Sequence, residues 1–178
     1  MSRLISSLAA AGCLAVAAGA ALAGPERVTR PENIAETWVH YLDVDRHDRN
    51  RVRSFFVNPE AHAAATPGEP LPDGTVLVMA DRDAMLDADG DPVIGGDGRL
   101  VPTGGFTNMF VMEKRAGWGE DVPPDLRNGD WDYAWYQPDG TLRPGTNYEG
   151  CFACHQNRTG RDFTFTYWKY LEDRAGED

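Results

Sequence analysis

Past residue 23 the chain has no apolar run approaching the ~20 residues that a membrane-spanning helix needs, so no internal membrane anchor is expected. Positive charge is also scarce: 17 Lys and Arg stand against 28 Asp and Glu, a formal net charge of −11. A chain this acidic repels polyanions, which argues against nucleic acid and anionic membrane as partners. A neutral or basic partner fits the charge, and so does plain solubility. No segment repeats at a fixed period, and no Gly-rich phosphate loop opens a helix. Cysteine and histidine are sparse, at three and four residues. A structural zinc site wants four ligands, commonly with a second pair at fixed spacing. His40, His47 and His62 stand unpaired and do not supply one.

What the chain does have begins with Arg3, an apolar stretch over residues 14–23, and Ala21-Leu22-Ala23 as an A-x-A cleavage site. Residues 1–23 read as a signal peptide cut before Gly24, so a periplasmic location is expected. The alternative is a lipoprotein with Cys13 as its anchor, but no leucine stands three residues before it. Residues 24–178 have the length of one domain.

Along that domain, Ile34, Trp38 and Leu42 recur every four residues behind Pro31-Glu32-Asn33, which predicts a helix over 31–42. "VRSFFV" (52–57) predicts a strand ended by Asn58-Pro59, with a short helix over 60–65. A Pro-Asp-Gly turn precedes a second strand from Thr75 to Met79 or beyond. "DADGDPVIGGDGRLVPTGG" (87–105) reads as a long hairpin connection. As a calcium loop it would need a glycine where Pro92 stands and a closing glutamate it lacks. "TNMFVMEK" (107–114) and "WDYAWY" (131–136) predict a third and a fourth strand. The tail over 161–171 predicts a helix packing Phe163, Tyr167 and Tyr170-Leu171 inward, with a strand as the alternative. The fold class expected is α+β, mainly an antiparallel sheet with flanking helices.

One pentapeptide carries chemistry: Cys151-Phe152-Ala153-Cys154-His155. A C-x-x-C redox disulfide normally starts a helix in a βαβ setting, and this one lies late in a strand-rich chain. Zinc lacks its remaining ligands. The third reading is covalent haem, for which C-x-x-C-H is the attachment signature. Two thiols add across the two vinyl groups, and the adjacent imidazole reaches the iron from the same side. Cys151 and Cys154 would then be the thioether anchors of one haem c, and His155 the iron ligand. Such attachment happens outside the bacterial cytoplasm, in agreement with the leader.

A C-terminal C-x-x-C-H on a strand-rich chain resembles the cytochrome P-460 family, which includes the cytochromes c′-beta. The resemblance rests on "VNPEA" (57–61), "PLPDGTVLVM" (70–79), "FVMEKRAGWG" (110–119), "NGDWDYAW" (128–135) and "CFACHQ" (151–156). It implies an antiparallel sheet, a homodimer, and one five-coordinate haem per chain whose distal side is open to nitric oxide or hydroxylamine. It also implies a distal arginine at Arg53 and aromatic capping by Phe55 and Phe56. In the hydroxylamine-oxidising members a lysine on the strand after "DGTV" is bonded to the haem edge. Met79 stands at that place, and a thioether cannot form the link. The implied activity is therefore binding of a small nitrogen ligand. Hydroxylamine oxidation, weak peroxidase activity, or electron transfer with a redox partner protein are the alternatives.

For each of these residues a plainer role competes. Arg53 could pair with one of the many carboxylates, and Phe55 and Phe56 could be sheet core. Met79 could be a flexible filler or an iron ligand, the latter making an electron-transfer haem. Glu113, Lys114 and Glu149 could relay protons or stand in solvent. Trp131, Tyr133 and Trp135 are expected in the core beside the haem, and Trp118 in a loop.

Overall fold

Side chains on a strand alternate between two faces, and here both faces are covered. The computed structural model describes residues 24–176; the expected signal peptide and Cys13 lie outside the described residues. Five strands, β1 (Val39–Arg46), β2 (Arg51–Val57), β3 (Val76–Ala84), β4 (Pro102–Lys114) and β5 (Trp131–Tyr136), form one sheet. They follow one another in chain order, each antiparallel to the next. Among the described residues four α-helices accompany them: α1 (Ile34–Thr37), α2 (Pro59–Ala64), α3 (Tyr148–Gln156) and α4 (Tyr167–Ala175). The mainly antiparallel α+β class expected from the sequence is what forms.

The turns follow their residues. Asn50 adopts the left-handed conformation (φ 49°) between β1 and β2, which asparagine tolerates better than most residues. Asn58 ends β2, and its amide oxygen accepts from Val76 N at 2.8 Å, so the start of β3 is pinned across the α2 excursion. Pro59 opens α2, where its missing N–H costs no helical bond. Between β3 and β4 the Asp-rich stretch folds on itself through the bridges Leu86–Pro92 and Ile94–Leu100. Asp87 accepts from the backbone of Asp89 and Asp91, and Asp97 from Arg99, so these carboxylates close turns.

The helix expected over 31–42 is a four-residue turn, Ile34–Thr37, and from Val39 onward the stretch is β1. Its i, i+4 spacing is real, but Val39, Tyr41, Leu42 and Val44 suit a strand equally well. Pairing with the free edge of β2 decides the outcome. The register slips between His40 and Leu42, leaving Tyr41 as an extra residue in a bulge. The sheet thus has five strands where four were expected. The tail forms a helix later than expected, from Tyr167, because Asp162 and Phe163 are both left-handed (φ 46° and 59°) and break it.

One face of the sheet packs on α2, α3 and α4. Val57, Leu77, Met112, Trp131 and Tyr133 meet Ala61, Phe152, Tyr167 and Leu171 there. The opposite face is covered by the N-terminal segment: Val28 and Ile34 sit on Phe56, Val78, Val111, Ala134 and Tyr136. Trp131 and Tyr167 lose all solvent exposure. Side chains of this size contribute roughly 1.5–3 kcal/mol or more each by burial, so the helix-covered face is firmly closed around its core.

Candidate functional site

Helix geometry turns the pentapeptide into a surface. The α3 N-cap Asn147 accepts from Gly150 N, and residues 151, 154 and 155 then fall at i, i+3 and i+4 on one side. Cys151, Cys154 and His155 accordingly line a single cavity of about 800 Å³. Among the described residues neither thiol is bridged. Phe152 points the other way, edge-on to Tyr133 with centroids 4.8 Å apart. Buried Asn128 donates to the Phe152 carbonyl at 3.0 Å and to the Tyr133 hydroxyl at 2.8 Å, tying the helix to the end of the sheet. Burial, and secondarily the neighbouring Cys154, push the Cys151 thiol above its usual range.

His155 is held in one orientation. Its Nδ1 lies 2.7 Å from the Phe163 carbonyl, which can only accept, so Nδ1 carries the proton and Nε2 the lone pair. The ring is braced by Tyr133 and by a perpendicular Phe165, each with its ring centroid 4.9 Å away. Burial holds this imidazole below its ordinary pKa, helped by Arg158 and opposed by the Phe163 hydrogen bond. A neutral imidazole with one nitrogen tied to a backbone carbonyl is the form in which histidine ligates metals.

The Phe163 carbonyl is itself placed by the left-handed pair at 162–163. Asp162 Oδ2 accepts from Leu71 N and from Lys114 Nζ, both at 2.8 Å. Lys114 Nζ also donates to the Leu71 carbonyl at 2.8 Å. Lys114 therefore reaches the histidine only indirectly, and it is neither solvated nor in the cavity.

The opposite wall is the sheet, and its register sorts chemistry into rows. Phe55, Met79, Phe110 and Trp135 are successive cross-strand partners and form an apolar row. Phe110 and Trp135 are in ring contact at 4.5 Å. Tyr41, re-aimed by the bulge, extends the row at 6.0 Å from Phe55. On one side lie Val57, Leu77, Met112 and Tyr133. On the other lie Arg53, Asp81 and Asn108. Arg53 grips the buried Asp81 with two bonds of 2.7 and 2.9 Å, and Asn108 accepts from the Trp135 indole at 3.0 Å. Arg53 thus lines the cavity and pairs with a carboxylate at once.

Of the residues named from the sequence, the cavity collects Cys151, Cys154, His155, Arg53, Phe55 and Met79, with Tyr133 and Trp135. Phe56 is a correction. Alternation sends it to the other face, where it packs edge-on to Phe106 at 5.8 Å, and it does not line the cavity. Glu113 is likewise buried on that face, accepting from Thr29 N and from Arg115. Glu149 is exposed in the first turn of α3. Trp131 is core beneath the site, and Trp118 stacks under the Arg27 guanidinium. His40 contacts Asp43, and His62 contacts Tyr167 and Arg174. Among the described residues no three His, Cys, Asp or Glu side chains converge as a metal cluster. The iron of a porphyrin needs only one protein nitrogen, and the cavity supplies it.

Tyr41, Arg143 and Phe165 line the cavity without having been singled out. Tyr41 depends on a bulge, and Arg143 and Phe165 on loops folding back over the sheet, none of which has a local signal. The fit to a haem is good: two thiols and a one-sided imidazole on one wall, aromatic and aliphatic side chains on the other, and a volume within the ~300–1,000 Å³ usual for such sites. A family model described as Cytochrome P460 matches residues 31–166, a span that includes both walls. No curated protein matches the chain.

Proposed function

The chain belongs to the cytochrome P460 family, whose members are haem c cytochromes, and from that premise we propose that it binds a small nitrogen ligand, nitric oxide or hydroxylamine, on one covalently held haem. Cys151 and Cys154 would hold the haem through two thioethers, and His155 Nε2 would be the protein ligand to its iron. The observation that carries this reading is the His155 geometry, with Nδ1 tied to Phe163, Nε2 free, and both thiols on the same helix face lining the same cavity.

The haem supplies a redox-active iron with a coordination position for the ligand. The chain's own residues do the rest. Phe55, Met79 and Phe110 give an apolar wall that excludes water and favours an uncharged diatomic. Arg53, steered by Asp81, offers the edge of its guanidinium at the rim of that wall. A charge-assisted bond from it to a bound ligand would be worth roughly 1.5–3 kcal/mol. Met79 has no amine, so the lysine–haem link of the hydroxylamine-oxidising relatives has no counterpart at this position. Export by residues 1–23 to the periplasm, a homodimer and a redox partner protein complete the proposal.

A second reading rests on the placement of Met79 across the cavity from α3, where its sulfur could ligate the iron and make an electron carrier. One optical experiment separates the two. The purified, matured protein is reduced and exposed to nitric oxide. Ligand binding predicts a clear spectral change on a five-coordinate ferrous haem. A six-coordinate low-spin ferrous haem that ignores nitric oxide overturns it in favour of Met79. Mass spectrometry of the peptide spanning 151–155 should find the haem mass on both sulfurs.

A further inference from the structure

We propose that Arg143 is the anchor for a haem propionate, a role that rests on the haem reading above. Two arginines line the cavity, and they differ in one respect. Arg53 is neutralised by a bidentate pair with buried Asp81. Among the described residues the Arg143 guanidinium has neither an ion pair nor a hydrogen bond; it lies over the Trp135 ring, 4.1 Å from the centroid. Other arginines also lack a carboxylate among the described residues, but of the two that line the cavity Arg143 alone is unpaired.

The arrangement is also preorganised. Arg143 N donates to the Trp135 carbonyl at 2.7 Å, and the Trp135 indole is fixed by Asn108 at 3.0 Å. The stacked guanidinium therefore lies along the sheet wall with its donor edge free. A guanidinium held by a ring face and unpaired at its donors is a receptor for a planar carboxylate. The group that fills this cavity carries two carboxylates on one edge. Arg143 is exposed at the rim and α3 holds the opposite wall. A haem tethered at Cys151 and Cys154 can then turn its carboxylate edge toward the mouth, where Arg143 stands.

The test uses the full chain made without haem attachment, with its thiols reduced. It is titrated with iron mesoporphyrin, whose ethyl groups cannot form thioethers, and with the dimethyl ester of the same porphyrin. Arg143→Gln should weaken mesoporphyrin binding about five- to tenfold, the range for a fork held at a partly wet rim, and leave the diester unchanged. Arg143→Lys should fall between, keeping the charge and losing the fork. Equal weakening of both porphyrins would mean that Arg143 only props Trp135, and overturns the proposal. Unchanged porphyrin affinity together with weaker nitrite binding in the matured protein would place Arg143 on the ligand side, and overturns it too. If the wild-type chain binds neither porphyrin, the haem reading itself falls. In the matured holoprotein, Arg143→Gln should lower the midpoint potential, because an unneutralised carboxylate favours the oxidised haem, while Arg143→Lys should stay near wild type. An unchanged potential in Arg143→Gln refutes the anchor even if the haem-free variant fails to fold.

Discussion

Replacing Asp162 by alanine should destabilise this protein far more than an ordinary surface substitution. Its carboxylate accepts from the Leu71 amide and the Lys114 ammonium, and its side chain is about 10% exposed against 15% for Lys114. Hydrogen bonds to charged groups contribute roughly 1.5–3 kcal/mol each, and a lysine left without its partner in a mostly dry site adds to the loss. Alanine also tolerates the left-handed backbone (φ 46°) less well than aspartate, by about 1 kcal/mol. Lys114 keeps its bond to the Leu71 carbonyl, which limits the damage. The expected total for Asp162→Ala is about 3–5 kcal/mol, the range for breaking a buried ion pair. Asp162→Asn retains an acceptor and the backbone tolerance, and should cost about 1–2 kcal/mol. Urea unfolding of the full chain, followed by tryptophan fluorescence, measures both. In a Lys114→Met background the alanine substitution should cost at least ~1 kcal/mol less, since no stranded cation remains. Strict additivity, or an Asp162→Ala within ~0.5 kcal/mol of wild type, would refute the ion-pair account of this turn.

Three more outcomes follow from the geometry. Arg53→Ala strands the buried Asp81 carboxylate and should cost about 3 kcal/mol by urea unfolding, somewhat eased by Arg51 at 4.0 Å; no loss would mean the pair is not formed in solution. Phe55→Ala should change the rate of ligand entry seen by stopped-flow absorbance. Phe56→Ala should leave that rate alone while destabilising the fold by about 3–5 kcal/mol, and the reverse pattern would invert the face assignment. Burial, and then Arg174, hold the His62 imidazole below its ordinary 6.5, so the folded chain keeps it neutral beside Tyr167, Tyr170 and Arg174. As pH falls below 6.5 the unfolded chain takes up this proton first, so stability declines. His62→Asn should flatten the decline measured by urea midpoints across pH 7 to 5, and an unaltered slope would remove His62 from the account.

The site was legible where it is local and obscure where it is assembled. Cys151, Cys154 and His155 sit within five residues, so their spacing carries straight through to a helix face. β2 to β5 are bounded by Asn-Pro, Pro-Asp-Gly and Asn-Gly turn signals, and their alternation marks them as strands. β1 was not legible, because Ile34, Trp38 and Leu42 satisfy a helical period as well as the strand's composition does. Only the unpaired edge of β2 distinguishes the two. Phe55 and Phe56 look alike in sequence, and the family resemblance treated them alike. The pleat separates them. Arg143 belongs to the site through Trp135, eight residues upstream across a hairpin closure, and nothing in its neighbours marks it.

The rows on the sheet have an implication for how this protein could be altered. Each stripe takes one residue from each successive strand, so its character resides in alignment as much as in composition. Sliding β2 by two positions against β3 would set Arg53 opposite a different partner and bring a cation into line with Met79, with no change in any amino acid and no exchange of faces. Length changes in the neighbouring loops are therefore a route by which an apolar wall could become one that greets anions.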